Sequence, residues 1–185
     1  MSRIKRLIQS YGGFIAVPWH DAAAPQRVIF CVYNEDDELQ LRAKIDEFEI
    51  VTRQAKHEWA VFDLTDTFAR WLASQRYRKS YFRQPDLIST LLPQYLDFIK
   101  KEFDCFIQTL KVNEKNTVVA LKGVGSLFGF LKVKEVVDAL APLVKGRLLV
   151  FFPGTSDENN NYRLLDGYDG WNYQAVRITD KDLQQ

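Results

Sequence analysis

Three short runs, in which apolar residues do not alternate with polar ones, constrain the fold most strongly. They lie at residues 28–33 (VIFCVY), 117–121 (TVVAL) and 147–152 (RLLVFF). A strand with one solvated face alternates, whereas a strand covered on both faces is apolar throughout and is typical of a parallel sheet. The sequence therefore predicts a mostly parallel central sheet flanked by helices.

Helical patterns fill the stretches between these runs. Asn34 is placed to cap a helix directly after the first run, and a further strand at residues 59–64 leads into a short helix. A long amphipathic helix is expected to open at Pro85 and to be kinked or restarted at Pro93. Residues 132–144 are predicted to form a crossover helix between two parallel strands. This alternation of strands and helices predicts a single α/β domain.

The two ends of the chain depart from the alternation. Residues 1–26 contain a basic, weakly amphipathic stretch, and we expect an N-terminal helical arm there, in front of an α/β domain at residues 27–185. Near the other end, the order YRLLD, GYDG, WNYQAVRI predicts a C-terminal antiparallel hairpin, with residues 173–178 as an edge strand. A chain of this length buries a sufficient core without disulfide bonds.

Composition argues against several classes of function. The formal net charge is +1, which gives no long-range field to attract DNA or an anionic membrane. Cys31 and Cys105 lie in a strand pattern and a helix pattern, so neither a disulfide framework nor a zinc cluster is indicated. His20 and His57 lack the spacing of a metal site, and no apolar run is long enough to span a bilayer. We therefore expect a cytoplasmic protein without membrane contact, metal or cofactor.

Residues 116–129, NTVVALKGVGSLFG, place a glycine-rich turn directly after a strand. When a helix follows, such a turn presents backbone N–H groups that bind anions. The spacing differs from the dinucleotide fingerprint, and Lys122 precedes the glycines instead of following them as in a phosphate-binding loop. Two interpretations remain: the glycines only allow a tight turn and close packing, or the turn binds an anion or nucleotide. The residues of this candidate site are Gly123, Gly125, Ser126 and Gly129.

Ser126 lies where a hydrolase nucleophile would be expected, between a strand and a predicted helix. The G-x-S-x-G pattern is not met, because Val124 and Phe128 occupy the glycine positions and both histidines lie upstream. Capping of the following helix is the expected role of Ser126. The sequence predicts no catalytic residues.

Residues 76–83, RYRKSYFR, interleave basic and aromatic side chains. Proteins that bind single-stranded nucleic acid combine these residue types, since rings stack on bases and cations contact phosphates. The same composition is typical of a solvated loop or of a protein interface enriched in Arg and Tyr. The candidate nucleic-acid patch contains Arg76, Tyr77, Arg78, Lys79, Tyr81 and Arg83.

Four blocks of sequence, taken in order, are specific in combination. They lie at residues 28–48, 59–73, 116–133 and 146–178, and their sharpest parts are GVGSLFGF and FFPGTSDENNNYRLLDGYDGWNY. Together they resemble the BrxB-domain proteins of bacterial BREX phage-defence systems, over about residues 27–180.

The resemblance implies a small component of a multi-protein antiviral machine, required for phage restriction and host DNA methylation. It also implies a fold similar to that of P-loop NTPases without the Walker A motif, and no catalytic residues carry over. The implied role is a scaffold that binds the alkaline-phosphatase-like PglZ subunit, or else the large ATPase BrxC. The alternative is a nucleotide- or nucleic-acid-binding regulator of the same system, and direct DNA binding stays open.

A scaffold needs exposed aromatic and polar groups that anchor a partner. Such residues follow the last long strand, near the carboxyl ends of the parallel strands, where open α/β sheets present a crevice. The candidate partner-binding ridge contains Asn160, Tyr162, Arg163, Trp171 and Tyr173. For Trp171 and Tyr173, the competing interpretation is that they only cover the edge of the sheet.

Overall fold

The structure, a computed structural model, describes residues 1–110, 113–171 and 174–182. The helices are α1 (Arg3–Ile15), α2 (Glu38–Arg42), α3 (Ile45–Gln54), α4 (Thr67–Ser74), α5 (Arg78–Arg83), α6 (Leu92–Thr109) and α7 (Val133–Leu140). The strands are β1 (Val28–Tyr33), β2 (Glu58–Asp63), β3 (Thr117–Lys122), β4 (Arg147–Ser156), β5 (Asn161–Leu164), β6 (Gly167–Trp171) and β7 (Val176–Ile178). The chain is a single mixed α/β domain.

The sheet has the strand order β2-β3-β4-β1-β7, with β5 and β6 attached to β4. Neighbours along the five-strand path pair in parallel, and β5 pairs antiparallel with both β4 and β6. All six residues of β1 are buried, as expected for an unalternating apolar strand with a layer on each face. Along β1, Phe30 therefore points to one face of the sheet and Cys31 to the other.

Two hydrophobic cores cover the two faces of the sheet. On one face, α1, α2 and α3 pack around Tyr11, Phe48 and Phe151. On the other face, α4, α6 and α7 pack around Phe103 and Phe152. Aromatic rings meet edge to face in both layers, which adds to the stability gained from burying apolar surface.

Helix α1 is part of the first core. It buries the apolar face formed by Ile4, Leu7, Ile8, Tyr11 and Ile15. The Tyr11 hydroxyl also lies 2.6 Å from the Thr52 hydroxyl of α3, deep in the same layer. Residues 3–15 are therefore helical, but they form a structural layer of the domain and not the separate arm that the sequence predicted.

The C-terminal hairpin differs from its prediction in register and in partners. Its strands are β5 and β6, which are joined by a tight turn at Leu165 with a positive φ of 54°. The GYDG segment, predicted as the turn, lies within β6. The last strand, β7, is an edge strand as predicted, but it pairs in parallel with β1 and is not an arm of the hairpin.

Two predicted helices are interrupted. The Asn34 side chain accepts a hydrogen bond from the Asp36 N–H, which confirms the predicted cap, but a break near Lys44 separates α2 from α3. The long helix expected from Pro85 starts as a 3₁₀ segment at Pro85–Leu91, and α6 then begins with Pro93 in its first turn. Pro93 thus restarts the helix, because proline needs no backbone partner at that position.

Candidate functional site

The glycine-rich turn after β3 is filled by the neighbouring loop after β2. Gly123 has a φ of 73°, and a Cβ atom there would lie 2.3 Å from Thr65 Oγ1 and 2.7 Å from Thr65 N. The Ser126 N–H donates to the Gly123 carbonyl at 3.0 Å, and the Phe128 N–H donates to the Gly125 carbonyl at 3.2 Å. These two turn amides therefore bond within the turn. The turn itself contains a short 3₁₀ segment, Val124–Leu127. The predicted crossover helix is α7, but it begins only at Val133, so the turn amides do not lie at a helix N-terminus as expected.

The Ser126 hydroxyl joins two loops at the carboxyl ends of β2 and β3. Its oxygen lies 3.0 Å from the Leu64 carbonyl oxygen and 2.7 Å from that of Gly123. The hydroxyl donates to backbone oxygens, so the prediction that Ser126 caps a helix is wrong. His57 and His20 precede β2 and β1, so they lie at the amino ends of the strands. Ser126 lies at the carboxyl ends, about 20 Å away along a six-residue strand. In the described residues, no imidazole reaches Ser126 to act as its base.

His57 has a structural position at the amino ends of the strands. Its Nδ1 lies 2.6 Å from Asn116 Oδ1, and its Nε2 lies 3.2 Å from the carbonyl oxygen of Ile15. Its ring stacks on Trp19, with 3.8 Å between the ring centroids. The Arg147 guanidinium lies over the same indole, 4.7 Å from its centroid. These contacts fasten the segment after α1 to the sheet.

The predicted partner-binding ridge is only partly exposed. Tyr162 is 1% exposed, and its ring packs 5.3 Å from Phe30 and 5.6 Å from Phe152, so it is a core residue and not an exposed anchor. Burial raises the pKa of the Tyr162 hydroxyl. Asn160 and Arg163 are exposed. For Trp171 only its place at the end of β6 is described, and Tyr173 lies outside the described residues.

One carboxylate organises the polar loop between β4 and β5. Asp157 accepts hydrogen bonds from the backbone N–H groups of Asn159 and Asn161 at 2.9 and 3.0 Å, and from the Asn161 side-chain amide at 2.8 Å. The Asn161 side chain contributes most to holding the pKa of Asp157 below its usual value. Asn160 adopts a φ of 57°, which asparagine tolerates better than most residues, and this turn exposes its side chain.

A second carboxylate fastens the hairpin to α7. Asp169 on β6 is 4% exposed, and it accepts the backbone N–H groups of Val133 at 2.8 Å and Lys134 at 3.3 Å. These groups belong to the first turn of α7, which has no intrahelical acceptor for them. Asp169 thus caps a helix from a distant strand.

We expect Asp169→Asn to lower the free energy of unfolding by about 1–3 kcal/mol, because the amide presents one acceptor oxygen where a buried N–H group and a partly buried one need one each. Urea denaturation would measure this loss. Asp166→Asn, in the exposed turn between β5 and β6, is the matched control and is expected to change stability by less than about 0.5 kcal/mol. Equal stability of the two variants would contradict the capping role.

An apolar groove of about 530 Å³ opens beside this capped helix. Its rim carries two aromatic side chains, Phe128 (43% exposed) and Tyr168 (54% exposed). The Lys132 ammonium lies 6.0 Å from the centre of the Tyr168 ring. The remaining apolar wall is formed by Leu92, Pro93, Leu96, Phe130, Leu131 and Leu164. Large apolar groups at the rim of a groove are typical of surfaces that bind other proteins.

A polar cleft of about 860 Å³ lies at the carboxyl ends of β1, β4 and β7. Arg3 forms a two-pronged ion pair with the buried Asp37, with Nε and Oδ2 2.7 Å apart, and Arg6 pairs with Asp180 at 2.8 Å. The Arg177 guanidinium donates to the backbone oxygen of Asp157. These three arginines therefore have partners within the protein, although the cleft is placed where open α/β sheets bind ligands.

The basic and aromatic segment forms α5 on the surface. Tyr77 and Phe82 are exposed, whereas Tyr81 packs against the core. The Arg76 guanidinium lies 5.4 Å from the centre of the Tyr77 ring. Within the described part of the chain, the segment's cations form no ion pair with an acidic side chain; they are Arg76, Arg78, Lys79 and Arg83.

Two kinds of feature were not found in the residues that the structure describes. Their histidine, cysteine and carboxylate side chains form no group of three or more that is suited to a metal ion. Their helices include none that is both long and apolar enough to cross a bilayer.

Comparison with known proteins gives one family. The model of the BREX protein BrxB matches residues 62–178, which is more than half of the chain. The matched part runs from the end of β2 to the end of β7, so it contains the glycine-rich turn, α7 and the hairpin with its groove. No curated protein and no solved structure matches the chain. The chain belongs to the BREX protein BrxB family, as the resemblance of its sequence blocks implied, and is a component of a BREX system.

Proposed function

We propose that this protein is a non-catalytic adaptor that holds other subunits of a BREX system together. The observation that carries the proposal is the apolar groove with Phe128 and Tyr168 exposed at its rim. Aromatic side chains beside an apolar depression supply most of the binding energy in many protein interfaces. The buried Asp169 contact to α7 fastens β6, which carries Tyr168, beside the start of that helix.

The polar groups at the strand ends support a role without catalysis. Ser126 and two amides of the glycine-rich turn are bonded to backbone oxygens, and Thr65 fills the space beside Gly123. In this proposal the first partner is the alkaline-phosphatase-like PglZ subunit and the next is the large ATPase BrxC. Phage restriction and host DNA methylation then depend on the adaptor indirectly, through the subunits that it holds.

Co-purification at near-physiological salt tests the adaptor proposal. Tagged protein is expected to capture other BREX subunits that are expressed with it, and Tyr168→Asp is expected to weaken capture about tenfold or more. Ile50→Asp on α3 is the matched control, because Ile50 is also 54% exposed but lies on the opposite face of the sheet. Capture of no BREX subunit by the unmodified protein would refute the adaptor.

The polar cleft favours a second candidate, a nucleotide- or nucleic-acid-binding regulator of the same system. Its position at the carboxyl ends of β1, β4 and β7 is the usual ligand position of an open α/β sheet, and it agrees with the implied likeness to P-loop NTPases. This candidate predicts a higher melting temperature with ATP, GTP or NAD. It also predicts salt-dependent DNA binding, which a titrated mobility shift would detect. The adaptor predicts neither effect.

A further inference from the structure

Residues 76–91, which link α4 to α6, form an unusually exposed segment. None of these residues is fully buried, and the segment is held to the domain by the half-buried side chains of Tyr81, Ile88 and Leu91. It nevertheless exposes large apolar groups at Tyr77 (59%), Phe82 (66%) and Leu87 (42%). Exposed apolar groups concentrated in one segment indicate a surface that is covered in a complex.

The charges of this segment are strongly one-sided. It carries four cations and a single acidic residue, Asp86. Elsewhere in the described chain many arginines are paired, such as Arg53 with Glu49 and Arg70 with Glu102. Among the residues that the structure describes, the cations of residues 76–83 have no such pairs, so their charge is available to a partner that carries carboxylates or phosphates.

The segment continues along the chain into one wall of the apolar groove. It leads directly into Leu92 and Pro93, which form one wall of the groove, while Phe128 and Tyr168 line the rim. The groove has aromatic rings at its rim, but most of its apolar lining is leucine and proline, which suits leucine-like side chains of a protein better than stacked bases. A groove of this kind next to a basic segment therefore favours an acidic protein segment over nucleic acid.

We infer that α5 and the apolar groove together bind an acidic amphipathic segment of another BREX subunit. Apolar side chains of that segment enter the groove, and its carboxylates face Arg78, Lys79 and Arg83. This inference rests on the proposed adaptor function and names the chemistry of the adaptor's partner.

A charge-reversal pair tests the inference in the co-expressed system. Arg78→Glu combined with Lys79→Glu is expected to reduce capture of the BREX partner at least about tenfold. Lys100→Glu combined with Lys101→Glu, on the exposed side of α6, makes the same change in net charge and is expected to leave capture unchanged. Equal capture by the α5 variant and the unmodified protein would overturn the inference while leaving the adaptor standing. Capture of nothing by the unmodified protein would instead refute the adaptor.

Zero-length carbodiimide cross-linking identifies the chemistry of the bound group. The reagent joins an amine to a carboxylate in direct contact, so the expected product links Lys79 to an Asp or Glu of the captured subunit. Lys79→Arg keeps the charge and is expected to keep capture, but it cannot form this product. Release of the captured subunits by nuclease, together with binding of a single-stranded 30-mer oligonucleotide that the α5 charge reversal abolishes, would overturn the inference in favour of a nucleic-acid site.

Discussion

Phe152→Ala is expected to lower the free energy of unfolding by about 3–5 kcal/mol, the usual loss for a large aromatic residue in a core. Phe152 is completely buried on β4, between the neighbouring strands β1 and β3. Its ring meets Phe30 edge to face with 5.6 Å between the centroids, and Tyr162 at the same distance. The substitution therefore leaves a cavity between the sheet and the hairpin. Urea denaturation would measure the loss of stability.

Phe82→Ala is the matched control for this prediction. Phe82 is 66% exposed on α5, and its removal is expected to change stability by less than about 0.5 kcal/mol. The same two proteins also separate folding from binding, because Phe82 lies in the surface that we propose binds a partner. A Phe152→Ala protein as stable as the Phe82→Ala protein would contradict the described core.

Gly123→Ala is expected to have the second largest effect, a loss of about 3 kcal/mol. The left-handed backbone at φ 73° costs a residue with a Cβ about 1–2 kcal/mol. The added methyl group would also lie 2.7 Å from the backbone nitrogen of Thr65, so the loop after β2 must move. Such overpacking typically lowers the free energy of unfolding by a further ~1–3 kcal/mol. Thermal or urea denaturation would detect the change.

Gly129→Ala separates the two causes. Gly129 has a similar φ of 81°, but a Cβ there would meet nothing within 4 Å. This variant is therefore expected to lose only about 1–2 kcal/mol, from the backbone conformation alone. Equal losses at the two glycines would show that close packing against Thr65 contributes nothing, and the structural interpretation of the turn would be wrong.

The sequence predicted the central strands well, because a strand that is buried on both faces consists of apolar residues without alternation. The runs at 28–33, 117–121 and 147–152 lie within β1, β3 and β4. Pairing partners leave no comparable mark. Residues 173–178 were predicted to form an edge strand, yet nothing in the three residues of β7 indicates that β1 is its neighbour.

Burial was harder to predict for residues with mixed character. Tyr162 has neighbours of polar type in the sequence, NNNYRLL, and only the pairing of β5 with β4 turns its ring onto Phe30. Residues 1–26 were predicted to form an arm in front of the sheet, although α1 has an apolar face. The residues of that face recur at the three- and four-residue spacing of an amphipathic helix, and they are buried in the first core.

The candidate surfaces combine residues that are distant in sequence. The groove brings Leu96, Phe128 and Tyr168 together, and the polar cleft brings Arg3 to Asp37. One signal was available at Phe128: it is a large apolar residue next to Gly129, in a turn outside the predicted strands and helices. By contrast, the basic segment at 76–83 was found directly, since its residues are contiguous.

Hydrogen exchange, measured on the protein alone and in its purified complex with other BREX subunits, shows which surface of the protein binds its partner. We expect exchange to slow in the complex at residues 78–92, 127–132 and 164–170, which contain α5 and much of the groove. Exchange in α3, on the other face of the sheet, is predicted to stay the same. The proposal that α5 and the groove bind the partner would be wrong if protection were confined to the polar cleft, at residues 33–37 and 154–158, with none at the groove.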